Sequence, residues 1–135
     1  MIKNVDHIGI VVRSIADVLP VYQTMFELEY LGEEVVPDGT VKAAFLKAPD
    51  GPTKLELIEP IDNPGVERFI EKRGGGLHHI CFLTDDIDRE LAELADKGAQ
   101  LIDKQARPGA LGKRVAFLHP KTTQGVLVEL AEKPK

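Results

Sequence analysis

VDHIGIVVRSIADVLPVY (residues 5–22) and LHHICFLTDDIDRELAEL (77–94) carry one pattern written twice. In each, an apolar run with Asp-His or His-His leads through a polar capping segment into an amphipathic helix. A fixed internal period marks a repeated structural unit, and it has to be found before any element is assigned. The repeat continues downstream, where VKAAFLKAPDGPTKLELIEP (41–60) aligns with KRVAFLHPKTTQGVLVELAEKP (113–134). His7 and His79 stand 72 residues apart, and Glu56 and Glu129 stand 73 apart. Two independent segments therefore share one register.

Each half reads as strand, helix, then three strands, an α+β arrangement of two tandem βαβββ modules. Residues 4–12 and 77–84 are β-rich runs. The first helix is predicted over 14–27, with Ser14 as N-cap and Ile15, Val18, Leu19, Tyr22 and Phe26 apolar; Pro20 is poorly suited to its interior. The second is predicted over 86–97, with Asp86 as cap and Gly98 as stop. Segments 28–36, 41–48 and 53–59 read as strands, echoed by 99–104, 113–119 and 124–131. Between the halves (about 1–62 and 75–135), residues 63–74 form a helical linker, with Asn63 as cap and Pro64 in first position. The whole, 1–135, reads as a single domain.

Composition bounds the function. In 135 residues, 43% are hydrophobic and 29% charged, as in soluble globular proteins. The opening run MIKNVDHIGIVV is too short and too interrupted by charge for a signal peptide or a membrane span, so a cytoplasmic location is expected. One cysteine, Cys81, excludes an intrachain disulfide framework. A net charge of −5 and 5% aromatic residues argue against nucleic acid and anionic membranes as partners. An anionic small substrate needs only a local basic patch, so it stays open.

Alternation places His7, Gly9 and Val11 on one strand face, and His79, Cys81 and Leu83 on the equivalent face of the second copy. Glu129 is the sole ionisable group in GVLVELA, and Glu56 occupies the matching place in TKLELIE. Burying an isolated carboxylate costs several kcal/mol, so each must be neutralised, hydrogen-bonded or bound to a cation. Singly, each of the four reads as an ordinary structural residue. As two His-plus-Glu sets in repeated register they read as the ligands of one divalent ion: His7, Glu56, His79 and Glu129. Mixed nitrogen and oxygen donors suit Co2+, Mn2+, Ni2+, Zn2+ or Fe2+ better than Ca2+. His78 has the opposite strand phase and reads as structural. Cys81 reads as core filler.

The motifs DHIGI and HHICF, the strand ends LELIEP and LVELAE, and the stretch GALGKRVAFLHPK resemble the vicinal oxygen chelate (glyoxalase/bleomycin-resistance) superfamily, and within it the methylmalonyl-CoA epimerase family. The resemblance covers nearly the whole chain. It implies curved mixed sheets closing around a metal, frequently cobalt, and commonly a homodimer. It implies interconversion of (R)- and (S)-methylmalonyl-CoA, on the route from propionyl-CoA to succinyl-CoA. Position by position, the family's metal ligands fall on His7, Glu56, His79 and Glu129. Some members carry a proposed catalytic Glu in the preceding strand, where this chain has Ala43, together with Gln at the position of Glu56.

Epimerisation moves protons on two faces of a carbon, so it needs two bases. With Ala43 in place of an acid, the expected bases are Glu56 and Glu129. The acyl-CoA phosphates would meet the basic stretch from Lys104 to Lys121, with Lys113, Arg114, His119 and Lys121 as substrate contacts, although a solvated loop would have the same composition. Two alternatives stand: glyoxalase I, with the same ligand types, and a non-catalytic small-molecule binding protein of the same fold. The intact ligand set disfavours the second.

Overall fold

The computed structural model describes all residues, Met1–Lys135. The chain divides into two compact units, one of His7–His78 and one of Met1–Asp6 with His79–Lys135. The first contains the second half of β1 (Ile2–Val11), then α1 (Ile15–Pro20), β2 (Glu29–Val35), β3 (Val41–Lys47), β4 (Lys54–Pro60) and α2 (Pro64–Arg73). The second contains most of β5 (Gly76–Thr84), then α3 (Ile87–Asp96), β6 (Arg107–Pro108), β7 (Arg114–Leu118) and β8 (Val128–Glu132).

Both units build the same mixed sheet. In the first the strand order is β2-β3-β4-β1, with β1 parallel to β4 and the other pairs antiparallel. In the second it is β6-β7-β8-β5, with β5 parallel to β8. The expected α+β pair of βαβββ modules is therefore present.

Alternation sorts the side chains. One face of the first sheet buries Ala44, Leu46 and Leu57 against Val12 and Ile15, the start of α1. The second sheet buries Ala116, Leu118, Val128 and Leu130 against Ile87 and Leu91 of α3. On the other face of the first sheet, Val11 and Ile58 pack with Val66 and Ile70 of α2, so the linker helix covers one end of the face that carries His7 and Glu56.

Helix starts follow local capping chemistry. Ser14, Asn63 and Asp86 accept from the amides of Asp17, Val66 and Arg89. Gly74, left-handed at φ 76°, ends α2 by donating to Ile70 O at 2.7 Å. A second anchor repeats in both units: Glu59 Oε1 accepts from Ile15 N at 2.7 Å, and Glu132 Oε2 from Ile87 N at 2.8 Å. Each strand thus holds the first amide of its own helix with a carboxylate three residues beyond Glu56 or Glu129. Glu132 is buried. Glu132→Ala would strand that amide, and urea unfolding should show about 1–3 kcal/mol lost. A smaller loss than that at the exposed cap Asp86→Ala would count against the anchor.

Three element boundaries differ from the sequence reading. The helix expected over 14–27 stops at Pro20, and Val21–Met25 continue as a π-helix closed by Phe26 N to Val21 O. Proline has no amide to donate, so the ladder slips register after it. The strand expected over 99–104 is only an isolated bridge, Leu101 with Leu118. There the Asp103 carboxylate accepts from Phe117 N at 2.8 Å, taking a donor that a strand carbonyl would otherwise use. The last strand begins at Val128, because Pro120–Thr123 form a 3-10 turn ending in left-handed Gln124.

Candidate metal centre

Parallel pairing builds the same device in each unit. In the first, Gly9 of β1 stands opposite Glu56 of β4, and His7, two residues earlier, shares its face. His7 Nε2 lies 3.5 Å from Glu56 Oε1, with both residues buried. In the second, Cys81 of β5 stands opposite Glu129 of β8, and His79 precedes it by two. His79 Nε2 lies 3.2 Å from Glu129 Oε1, again with both buried. On its antiparallel side each glutamate faces a phenylalanine, Phe45 for Glu56 and Phe117 for Glu129. The Phe117 ring stands edge-on to His79, centroids 5.5 Å apart.

A buried imidazole nitrogen beside a buried carboxylate oxygen suits a divalent cation of intermediate softness. The cation meets the carboxylate's need for compensation without protonating the ring. The donor chemistry of both pairs therefore fits a divalent ion such as Co2+, Mn2+, Ni2+, Zn2+ or Fe2+. His78, of opposite phase, packs edge-on against Phe69 of α2 at 5.1 Å. Ala43 is fully buried, opposite Ile58 on one side and Glu34 on the other.

The basic stretch is less open than its composition suggests. Lys113 is 8% exposed, and its Nζ donates to Asp6 Oδ2 at 2.7 Å, a pair 107 residues apart in sequence. Arg114 holds Asp88 through both terminal nitrogens, at 2.9 and 3.0 Å, and lies 3.7 Å from Glu132. The Arg114 hydrogen bonds keep the Asp88 carboxyl below its ordinary range. That contribution is therefore present above the usual carboxylate pKa and is lost as pH falls through the lowered value. His119 Nδ1 accepts from Lys121 N at 3.1 Å and caps the 3-10 turn. Lys121 is exposed. Lys113 and Arg114 thus each hold an ion-pair partner within the chain, and Lys121 keeps its side chain at the surface.

Residues 6–117 match the sequence profile of the Glyoxalase/Bleomycin resistance protein/Dioxygenase superfamily, and the chain belongs to that superfamily. Among its relatives, YqjC of Bacillus subtilis is 48% identical over 132 residues, covering 96% of this chain and 92% of that protein. The ethylmalonyl-CoA/methylmalonyl-CoA epimerase of Cereibacter sphaeroides is 34% identical over 135 residues, covering 98% and 99%. In structure, a variant of Streptomyces coelicolor methylmalonyl-CoA epimerase in complex with 2-nitronate-propionyl-CoA superposes with a TM-score of 0.93 at 34% identity, over 100% of both chains. No helix of the chain is long and apolar enough to cross a membrane.

Proposed function

We propose that this protein is a metal-dependent methylmalonyl-CoA epimerase that assembles as a homodimer and serves propionate metabolism. The observation that carries the reading is the duplicated His–Glu device: two buried pairs in the same strand register, 3.5 and 3.2 Å across. The full-length likeness to epimerases of this substrate supports it.

The residues divide the work by chemistry. Taking the proton from the carbon between thioester and carboxylate puts negative charge on the thioester oxygen. A divalent ion held by His7, Glu56, His79 and Glu129, with Co2+ the first candidate, would supply the Lewis acidity that stabilises this charge. His7 and His79 serve as neutral holders. Glu56 and Glu129 accept and return the proton, one for each face of the carbon, which the inversion of configuration requires. Phe45 and Phe117 stand opposite the two carboxylates in strand register and limit water around them. In this reading Lys121 and His119 meet the polar tail of the acyl-CoA.

Purified protein, stripped of metal by a chelator and resupplied with Co2+, should exchange the α-proton of methylmalonyl-CoA in deuterated water and equilibrate the two epimers. Failure with every one of Co2+, Mn2+, Ni2+, Zn2+ and Fe2+ would overturn the reading. Turnover of the methylglyoxal–glutathione hemithioacetal in its place would make the protein a glyoxalase I.

A further inference from the structure

Arg107 stands one side chain out from the His79–Glu129 pair. Its guanidinium lies over the Phe117 ring, 5.6 Å from the centroid, and that ring is the one standing edge-on to His79 and opposite Glu129 in register. Arg107 Nε donates to Asp103 Oδ1 at 3.3 Å, while Asp103 Oδ2 accepts from Phe117 N. One carboxylate therefore ties the arginine to the strand that carries the phenylalanine. The backbone beyond is pinned as well: Gly109 N donates to Lys113 O at 2.9 Å, and a side chain at Gly109 would meet Val115 Cγ1 at 2.6 Å. The guanidinium is thus held by its face and its Nε, with the side chain 44% exposed.

The duplication supplies a second, independent observation. Arg107 pairs with Val115, and the equivalent of Val115 in the first half, Ala43, pairs with Glu34. At matching positions of two otherwise similar sheets, one half presents a cation and the other an anion. Such a difference in charge lets an anionic ligand distinguish the two halves of a duplicated chain, because opposite charge attracts it and like charge repels it.

We infer that Arg107 is an anion-binding residue that grips the negatively charged oxygens of an acyl-CoA ligand and orients it on the His79–Glu129 side. The inference rests on the acyl-CoA reading above, and it adds the residue and the polarity. Carboxylate and phosphate both present oxygens that a guanidinium fork can take, so two probes separate the sources. Propionyl-CoA has the phosphates without the acyl carboxylate, and methylmalonyl-pantetheine has the carboxylate without phosphates.

Affinities of both probes for wild type, Arg107→Met and Arg107→Lys, measured by titration calorimetry on the Co2+-loaded protein, test the inference. Arg107→Met should weaken one probe by about ten- to a hundredfold, as expected for loss of a charge-assisted contact. Arg107→Lys should recover part of that loss, and kcat with methylmalonyl-CoA should change by less than about threefold while KM rises. Weakening of propionyl-CoA alone assigns the contact to phosphate, and weakening of methylmalonyl-pantetheine alone assigns it to the carboxylate. Unchanged affinity for both overturns the inference, as does failure of wild type to bind either probe. Arg107-dependent binding without epimerisation would leave the anion site standing and remove the epimerase reading.

Discussion

Glu129→Gln and Glu56→Gln should each lower the rate of α-proton exchange on methylmalonyl-CoA by about a hundred- to ten-thousandfold, the range for losing a positioned general base. Glutamine keeps the volume and one oxygen of the side chain, so it still offers a ligand atom, but it cannot take a proton. Both glutamates are buried and within 3.5 Å of an imidazole nitrogen, so the isosteric change also keeps the packing. The informative pair of measurements is exchange in deuterated water and metal content after dialysis. Exchange should collapse while much of the metal stays. Full exchange in both variants would sink the base assignment. Loss of metal together with activity would reduce the glutamates to holders of the ion.

The second large effect concerns stability. Lys113→Met should destabilise the fold by about 3–5 kcal/mol, because the Asp6 carboxylate, 3% exposed, would lose the ammonium 2.7 Å away. Asp6→Asn should also destabilise, by leaving the ammonium buried beside a neutral amide. Combining Asp6→Asn with Lys113→Met should return much of the loss, since no buried charge remains, and a double-mutant cycle in urea would read the coupling directly. Additive losses would show that the pair is not coupled. Arg114→Met is the control: it breaks a pair that is largely solvated and should move the unfolding midpoint far less. The contrast matters for function as well, since a raised KM in a Lys113 variant would reflect a loosened sheet before it reflected a lost substrate contact.

Much of the fold was legible because its rules are local. A two-residue period places His7 with Val11 and His79 with Leu83, and the caps Ser14, Asn63 and Asp86 sit where a short polar side chain precedes a periodic run. The failures were also physical. Pro20 could be seen to disturb a helix, but whether the chain would end, kink or widen into a π-helix depends on what Val21–Met25 find around them. The segment 99–104 has the composition of a strand, yet the Asp103 carboxylate takes the Phe117 amide and keeps it irregular. In the sequence, Arg107 is one of five basic residues between Lys104 and Lys121. Nothing in its neighbours announces a ring lent by Phe117.

Within each half, sequence alone determined which histidine and which glutamate share a face, because the repeat preserves strand phase and a strand has only two faces. Tertiary structure decided the fate of the remaining charges. Lys113 turned inward to Asp6 across 107 residues of chain, Arg114 closed on Asp88, and Arg107 came to rest on Phe117. An ion pair's place depends on which partner the fold brings within about 4 Å and how much water it removes, and no local periodicity encodes either.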